Sequence, residues 1–187
     1  LKSHAFPNPD LAFCNTCVIR VRLWLSGPCW KPWRPVAESA PWQTPESQCL
    51  ISRLMLSHQR AFKRPLLDCG NPAKDLFSSK MAVLAHDNSH DPLLIFANAT
   101  ALRLWERSWH EMIGMPSRYT AEEGARKQRA SALKRAQNQD AFEGYSGVRV
   151  SRTGQRFMIN NARIWTLWDD KGQNCGQAAA FSSWCWL

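Results

Sequence analysis

The segment 81–109, MAVLAHDNSHDPLLIFANATALRLWERSW, constrains the fold more than any other part of the chain. Two short apolar runs, Ala82–Ala85 and Leu93–Ala97, flank a polar stretch rich in His, Asp, Asn and Pro. Apolar runs around such turn residues predict two buried strands of a hairpin. Asn98 then stands where a helix N-cap is expected, and apolar residues recur after it with helical spacing. The segment therefore predicts strand, strand and helix in that order.

The following residues predict more helices and then three strands. A second short helix is expected before Gly114 and Pro116, and a long charged helix is expected over Ala121–Asn138. From Tyr145 onward the apolar pattern alternates with a period of two. The predicted strands are Tyr145–Val150, Arg156–Trp168 and Gln177–Trp186. Consecutive strands joined by short turns favour an antiparallel meander.

The order β-β-α-α-α-β-β-β predicts an α+β fold, a five-stranded antiparallel sheet with helices packed on one face. Such packing leaves a cavity between helices and sheet, where small-molecule sites usually form. A further helix is expected from Thr44 or Ser47 to about Lys63. Its apolar stripe, which is either core or a dimer face, comprises Leu50, Ile51, Leu54, Met55, His58 and Phe62.

The chain is expected to divide into a disordered leader (1–43), a helical flank (44–80) and the folded module (81–187). Six of the eleven prolines lie in the leader, and proline removes hydrogen-bond donors and blocks helix continuation. The leader is also poor in acidic residues, which fits an organelle transit peptide. Its first residue is Leu rather than Met, which fits a fragment or an over-extended reading frame. The expected location is cytoplasmic or plastid.

Charge and composition argue against two classes of function, namely nucleic-acid binding by the module and membrane spanning. The net charge is +9, but the first 84 residues hold 11 Lys and Arg against 5 Asp and Glu. The basic character therefore lies mainly at the front, which argues against nucleic-acid binding by the module. The alternative, nucleic-acid binding through the basic helix Ala121–Asn138, predicts that the affinity falls steeply with salt concentration.

No apolar run approaches the roughly 18 residues of a membrane helix. The seven cysteines lack the spacing of a disulfide framework, which predicts free thiols.

A ligand site is predicted from polar and aromatic residues embedded in the apolar pattern. Buried polar groups cost free energy unless they are paired, so several of them around one cavity would fix a small anionic or aromatic ligand. The predicted ligand-binding residues are Phe96, Asn98, Trp105, Arg118, Tyr145, Arg149, Phe157, Asn160 and Trp165. In the competing interpretation Asn98 caps a helix, the arginines pair with nearby glutamates and the aromatic residues are core.

An enzyme is the alternative hypothesis, because His86, Asp87, His90 and Asp91 cluster in one loop. Such a site would use the cleft around His86, Asp87 and Arg118. However, loops of this composition are usually turns, and the chain lacks a P-loop or a G-x-G-x-x-G motif. We therefore expect no enzyme and no metal site.

The ordered motifs resemble those of the PAS fold, at Asp87, Ala97-Asn98, Ala101-Leu102, Glu111, Ile113-Gly114, Gly154 and the hairpin Asp169-Asp170-Lys171-Gly172. A closer resemblance, from about Gln48 to Leu187, is to the MEKHLA domain, a PAS-like family. It rests on AHDNSHDPLLIFANATALRLWERSW, GMPSRYTAE, YSGVRVSRTGQRF and GQAAAFSSW. The resemblance implies a sensing or dimer-regulating module that binds a small ligand or a protein partner, with a homodimer through the N-terminal helix. It assigns no cofactor. Flavin-binding PAS light sensors carry a reactive Cys after the Gly, and 114–118 has none.

Overall fold

An antiparallel sheet forms the centre of the computed structural model, which describes residues 40–68 and 70–187. The helices are α1 (Pro45–Phe62), α2 (Pro72–Ser78), α3 (Ala99–Trp105), α4 (Trp109–Met112) and α5 (Glu123–Gln139), with 3-10 turns at Pro41–Gln43 and Ser117–Thr120. The strands are β1 (Ala82–Asp87), β2 (Leu94–Ala97), β3 (Ala141–Val150), β4 (Arg156–Trp168), β5 (Asn174–Phe181) and β6 (Ser183–Trp186). The sheet order is β2-β1-β5-β4-β3, and β6 also pairs with β4.

The predicted order of strands and helices is confirmed. One difference lies in the closing strand, which Ser182 divides into β5 and β6, although both pieces pair with β4. A second difference lies in β3, which begins at Ala141 rather than Tyr145. Its pairing with β4 is irregular between Phe142 and Tyr145, where Gly144 has φ +85°. The irregular stretch hides the two-residue period in the sequence.

Asn98 ties the first strands to the helices that flank them. Its side-chain Oδ1 accepts hydrogen bonds from the backbone N–H of Val83 (2.9 Å) and of Ala101 (3.1 Å). Its Nδ2 donates to the carbonyls of Met81 (2.7 Å) and Leu76 (3.2 Å). The predicted N-cap is therefore present, and the same side chain also satisfies backbone groups of β1 and of the end of α2.

Two hydrophobic cores lie on opposite faces of the sheet. The face toward α3 and α5 buries Leu84, Leu94, Leu104, Trp105, Phe157, Ile159, Ile164 and Phe181. The face toward α1 buries Ile51, Leu54, Val83, Phe96, Trp165, Leu167, Ala178 and Ala180. Strict alternation along β4 would place Ile159 and Trp165 on one face. Asn161, at φ +52°, shifts the alternation by one residue, so that the two side chains lie on different faces.

Helix α1 covers the second face of the sheet. Thr44 caps its start by accepting a hydrogen bond from the Ser47 N–H (3.2 Å). The indole Nε1 of Trp165 donates to the Leu54 carbonyl (3.3 Å), and the Trp168 N–H donates to Ser57 Oγ (3.0 Å). The apolar stripe of α1, for which the sequence allowed core or dimer face, is therefore core.

The leader was predicted to be disordered through residue 43. Residues 41–43 instead form a 3-10 turn, and the Trp42 ring lies 4.4 Å from that of Phe77. This stacking orders the end of the leader. The remaining leader and its transit-peptide interpretation lie outside the described residues. Among the helices that are described, none has the length and apolarity needed to cross a membrane.

Candidate functional site

A cavity of about 50 Å³, called here the inner cavity, lies between the sheet and the helices α3 and α5. Strands β1, β3, β4 and β5 supply most of its wall. Its lining residues are Leu84, Ala85, His86, Leu94, Trp105, Thr120, Leu133, Tyr145, Arg149, Ile159, Ala162, Ile164, Gln177, Ala178, Ala179 and Phe181. The cavity is thus mainly apolar, with a few polar groups that can orient a bound molecule.

Arg149 lies in this wall, and only 5 % of its surface is exposed to solvent. Its Nη1 donates to the Val148 carbonyl (2.7 Å), and its Nη2 donates to the Tyr145 hydroxyl (3.1 Å). The guanidinium carbon lies 5.2 Å from the centre of the Tyr145 ring. Among the described residues no carboxylate lies within 4.0 Å of it. A buried charge normally needs a partner, so the site favours an anion.

Gly147 makes the contact between Tyr145 and Arg149 feasible. These three residues alternate along β3 and so share one face of the strand. A Cβ at position 147 would lie 2.6 Å from Tyr145 Oη and 3.3 Å from Arg149 Nη1. The missing side chain therefore supplies the space in which the hydroxyl and the guanidinium meet.

A larger opening of about 370 Å³, called here the outer cleft, adjoins the inner cavity. Its lining residues are His86, Asp87, Asn88, Ser89, Asp91, Pro92, Ser117, Arg118, Ala130, Leu133, Lys134 and Gln177. His86, Leu133 and Gln177 line both spaces. The Gln177 Nε2 donates to the Leu133 carbonyl (2.9 Å). This hydrogen bond joins β5 to α5 where the two spaces meet.

The residues of the enzyme hypothesis, His86, Asp87 and Arg118, do meet around the outer cleft, but each of them has a structural partner. His86 Nδ1 lies 2.8 Å from the backbone carbonyl oxygen of Asp87. Asp87 Oδ1 accepts hydrogen bonds from Ser89 Oγ (2.7 Å) and from the Leu93 N–H (2.9 Å). Burial raises the pKa of Asp87, yet these hydrogen bonds outweigh it, and the net pKa is lowered. Arg118 forms an ion pair with Asp91. A carboxylate held in its ionised form by a turn is a weak general base.

The structure brings three of the nine predicted ligand residues to the inner cavity: Trp105, Tyr145 and Arg149. Trp105 is held by a hydrogen bond from its Nε1 to the Thr120 carbonyl (3.1 Å). Phe157 belongs to the same core and packs edge-on against Trp105, with ring centres 5.1 Å apart, but it does not line the cavity. Arg118 lines the outer cleft instead.

The other four predicted residues lie away from the inner cavity. Phe96 and Trp165 belong to the core on the opposite face, since the shift at Asn161 turns Trp165 toward α1. The side chain of Asn98 forms hydrogen bonds with backbone groups. One of them caps α3, as the competing interpretation of the sequence predicted. Asn160 lines a surface recess beside Arg163 and Ser183.

Sequence reasoning missed Gln177 as a cavity residue. The available signal was a lone amide side chain at the start of a small, apolar strand, QAAAF. Its partner, the Leu133 carbonyl, is 44 residues earlier in the chain. Local pattern does not reveal such a partner.

Comparison with known proteins agrees with this architecture. The PAS domain of a protein from Colwellia psychrerythraea has a TM-score of 0.52 at 19 % identity, over 58 % of this chain and 89 % of that one. The light-state dimer of the fungal blue-light photoreceptor Vivid has a TM-score of 0.51 at 16 % identity, over 80 % of this chain and 99 % of that one. At these identities the likeness shows a PAS-like fold.

The family is shown by a match along most of the described chain. No curated protein matches the sequence. The model of the MEKHLA domain, however, matches residues 48–186, which agrees with the span that the sequence motifs indicated. The match includes α1 from its fourth residue onward, the residues that line the inner cavity and the whole sheet. The chain therefore belongs to the MEKHLA domain family and has the PAS-like fold that its motifs predicted.

Proposed function

We propose that this protein is a non-enzymatic sensory module that binds a small molecule in the inner cavity and relays the change to a protein partner. The observation that carries the proposal is a mainly apolar cavity that adjoins the outer cleft where a hydrogen bond joins β5 to α5. A space of this kind suits a ligand, because its few polar groups converge on an apolar volume. The PAS-like fold supports a sensory role.

The relay would run across β5. Ala179 lines the inner cavity, whereas the next residue, Ala180, belongs to the core against α1. Ala178 contacts both, since it lines the cavity and is part of the core against α1. A ligand that displaces β5 or releases Gln177 from Leu133 favours one arrangement of the sheet over another. The response would then be a shift between two populations.

The output would be a homodimer formed through the outer surface of α1. Leu56 supports this part of the proposal, because its side chain is 67 % exposed on a helix whose opposite side is buried against the sheet. In this scheme residues 81–187 form the sensing module and 44–80 form the output flank. The protein would act in the cytoplasm or in a plastid.

Cavity filling tests ligand binding. In Ala179→Val two methyl groups enter the inner cavity, while Ala141→Val adds the same groups at a strand position that does not line it. Native mass spectrometry of both purified variants and the parent reports any copurified small molecule. We expect the adduct in the parent and in Ala141→Val and its loss in Ala179→Val. An adduct that survives in Ala179→Val would contradict this site.

A further inference from the structure

We propose that the inner cavity takes a short-chain monocarboxylate, with its carboxylate against Arg149 and its hydrocarbon end against the apolar wall. This inference rests on the proposed function, since it names the chemical class of the ligand of that same cavity. Three features carry it, namely the charge of Arg149, the apolarity of the remaining wall and the small volume.

The charge requires an anion. A guanidinium keeps its positive charge at any physiological pH and has five N–H donors. In the described part of the chain Arg149 uses two of them, toward Val148 O and Tyr145 Oη. Among the described residues that line the inner cavity, none is Asp or Glu. A carboxylate would compensate the charge and can accept two parallel N–H donors in the geometry that guanidinium favours.

The rest of the wall selects an anion with an apolar end. Sixteen residues with described positions line the cavity, and five of them are polar: His86, Thr120, Tyr145, Arg149 and Gln177. The other eleven are Ala, Leu, Ile, Phe or Trp. Phosphate or sulfate presents oxygen on every side, and oxygens against alkyl groups would lose their hydration without replacement. A carboxylate with a short alkyl chain matches both parts of the wall.

The volume sets the length of the ligand. One water-sized group needs about 10–15 Å³ of this kind of volume, so 50 Å³ holds about three to five non-hydrogen atoms. Acetate and propionate have that size. A longer chain would have to separate Gln177 from Leu133 and extend into the outer cleft.

Paired probes of equal shape test the class on the full chain. Isothermal titration calorimetry would use propionate, the uncharged propionamide and inorganic phosphate at one ionic strength. Tiny ligands gain at most about 1.5 kcal/mol per non-hydrogen atom and usually less, so we expect a propionate Kd of about 0.1–1 mM. Propionamide should bind at least about tenfold more weakly, because it leaves the guanidinium without a counter-charge, and phosphate should give no measurable heat.

Substitution assigns the binding to Arg149. Arg149→Gln should weaken propionate binding at least about tenfold and remove its advantage over propionamide. The matched variant Arg152→Gln alters an exposed arginine that pairs with Glu111 and lines neither space. It should leave the propionate Kd within about twofold. The wild-type comparison of propionate with propionamide needs no variant, so the proposal can be tested even if Arg149→Gln fails to fold.

The outcomes separate this inference from the proposed function. Equal binding of propionamide and propionate, or tighter binding of phosphate, would overturn the carboxylate class while leaving a ligand cavity. A different class of copurified molecule, with no propionate binding, would do the same. No probe binding and no copurified molecule would overturn both proposals.

Discussion

The side-chain amide of Gln177 on β5 donates a hydrogen bond of 2.9 Å to the backbone carbonyl of Leu133 on α5. Both residues line the inner cavity and the outer cleft, so this bond lies where a molecule would pass from one space to the other. It also connects the strand that faces both cores to the helix above the cavity.

Loss of that bond should increase the local opening of α5 while decreasing the free energy of unfolding only slightly. Gln177→Leu keeps a side chain of similar volume but removes the donor. We expect faster hydrogen exchange across 123–139, with a decrease in the free energy of unfolding of about 1 kcal/mol. Hydrogen-exchange mass spectrometry measures the first quantity and urea unfolding the second. Gln173→Leu in the exposed β4–β5 turn is the control, and an equal exchange rate in both variants would show that Gln177 does not hold the helix.

Gly147→Ala should separate Tyr145 from Arg149. The new methyl group would lie 2.6 Å from Tyr145 Oη, so the buried ring must move at a cost of about 1–3 kcal/mol. The same substitution in a Tyr145→Phe background should cost less, because the clashing oxygen is absent. A double-mutant cycle from urea unfolding gives the coupling, expected at about 0.5–1 kcal/mol or more. Additive effects would mean that the hydroxyl does not limit position 147.

Protonation of His58 should destabilise the protein in mild acid. Its Nδ1 lies 3.1 Å from the Arg64 carbonyl, and its Nε2 lies 2.9 Å from Arg163 Nη1. Burial is the larger cause and the charge of Arg163 the next one that lowers the pKa of His58 from 6.5 to about 4. Between these two values the unfolded chain binds a proton that the folded chain does not, so stability falls as pH decreases.

The expected loss between pH 7.5 and pH 5 is about 2 kcal/mol from this residue. Urea unfolding of the parent and of His58→Gln at both pH values measures it, since the glutamine does not titrate. His90→Gln, which alters an exposed loop histidine, should keep the dependence of the parent. The prediction is wrong if His58→Gln loses as much stability as the parent over this range.

Asn98→Ala should be among the most destabilising single substitutions. It removes the acceptor of the Val83 and Ala101 N–H groups and the donor to Met81 O. Several backbone groups then lose their partners in a fully buried place, at an expected total of about 3 kcal/mol or more. Asn88→Ala removes a single exposed bond of 3.3 Å and should stay within about 0.5 kcal/mol. Urea midpoints of the two variants decide the comparison.

Leu56→Glu should prevent self-association if α1 forms the dimer surface. The side chain is 67 % exposed in the single chain, so folding stability should change by no more than about 0.5 kcal/mol. Sedimentation equilibrium would show a dimer for the parent and a monomer for the variant. A parent that is monomeric with and without propionate would remove the homodimer from the proposal.

The sequence alone determined the kinds and order of the elements. The apolar runs around 86–92, the cap at Asn98 and the period-two pattern after Tyr145 are local signals, because side-chain spacing follows directly from helix and strand geometry. Those signals also carried the resemblance to the MEKHLA domain that the family match confirmed. The sequence pattern also predicted Arg149 and Tyr145 as ligand residues, and this role stays a proposal.

Only the tertiary structure decided which side chains face the inner cavity. A single residue at positive φ, Asn161, reverses the faces of the strand beyond it and sends Trp165 to α1 rather than to the cavity. The bond between Gln177 and Leu133 likewise depends on residues far apart in the chain. The same holds for the finding that no carboxylate of the described residues lies within 4.0 Å of Arg149. A period in the sequence gives two possible faces, whereas packing in three dimensions selects one of them.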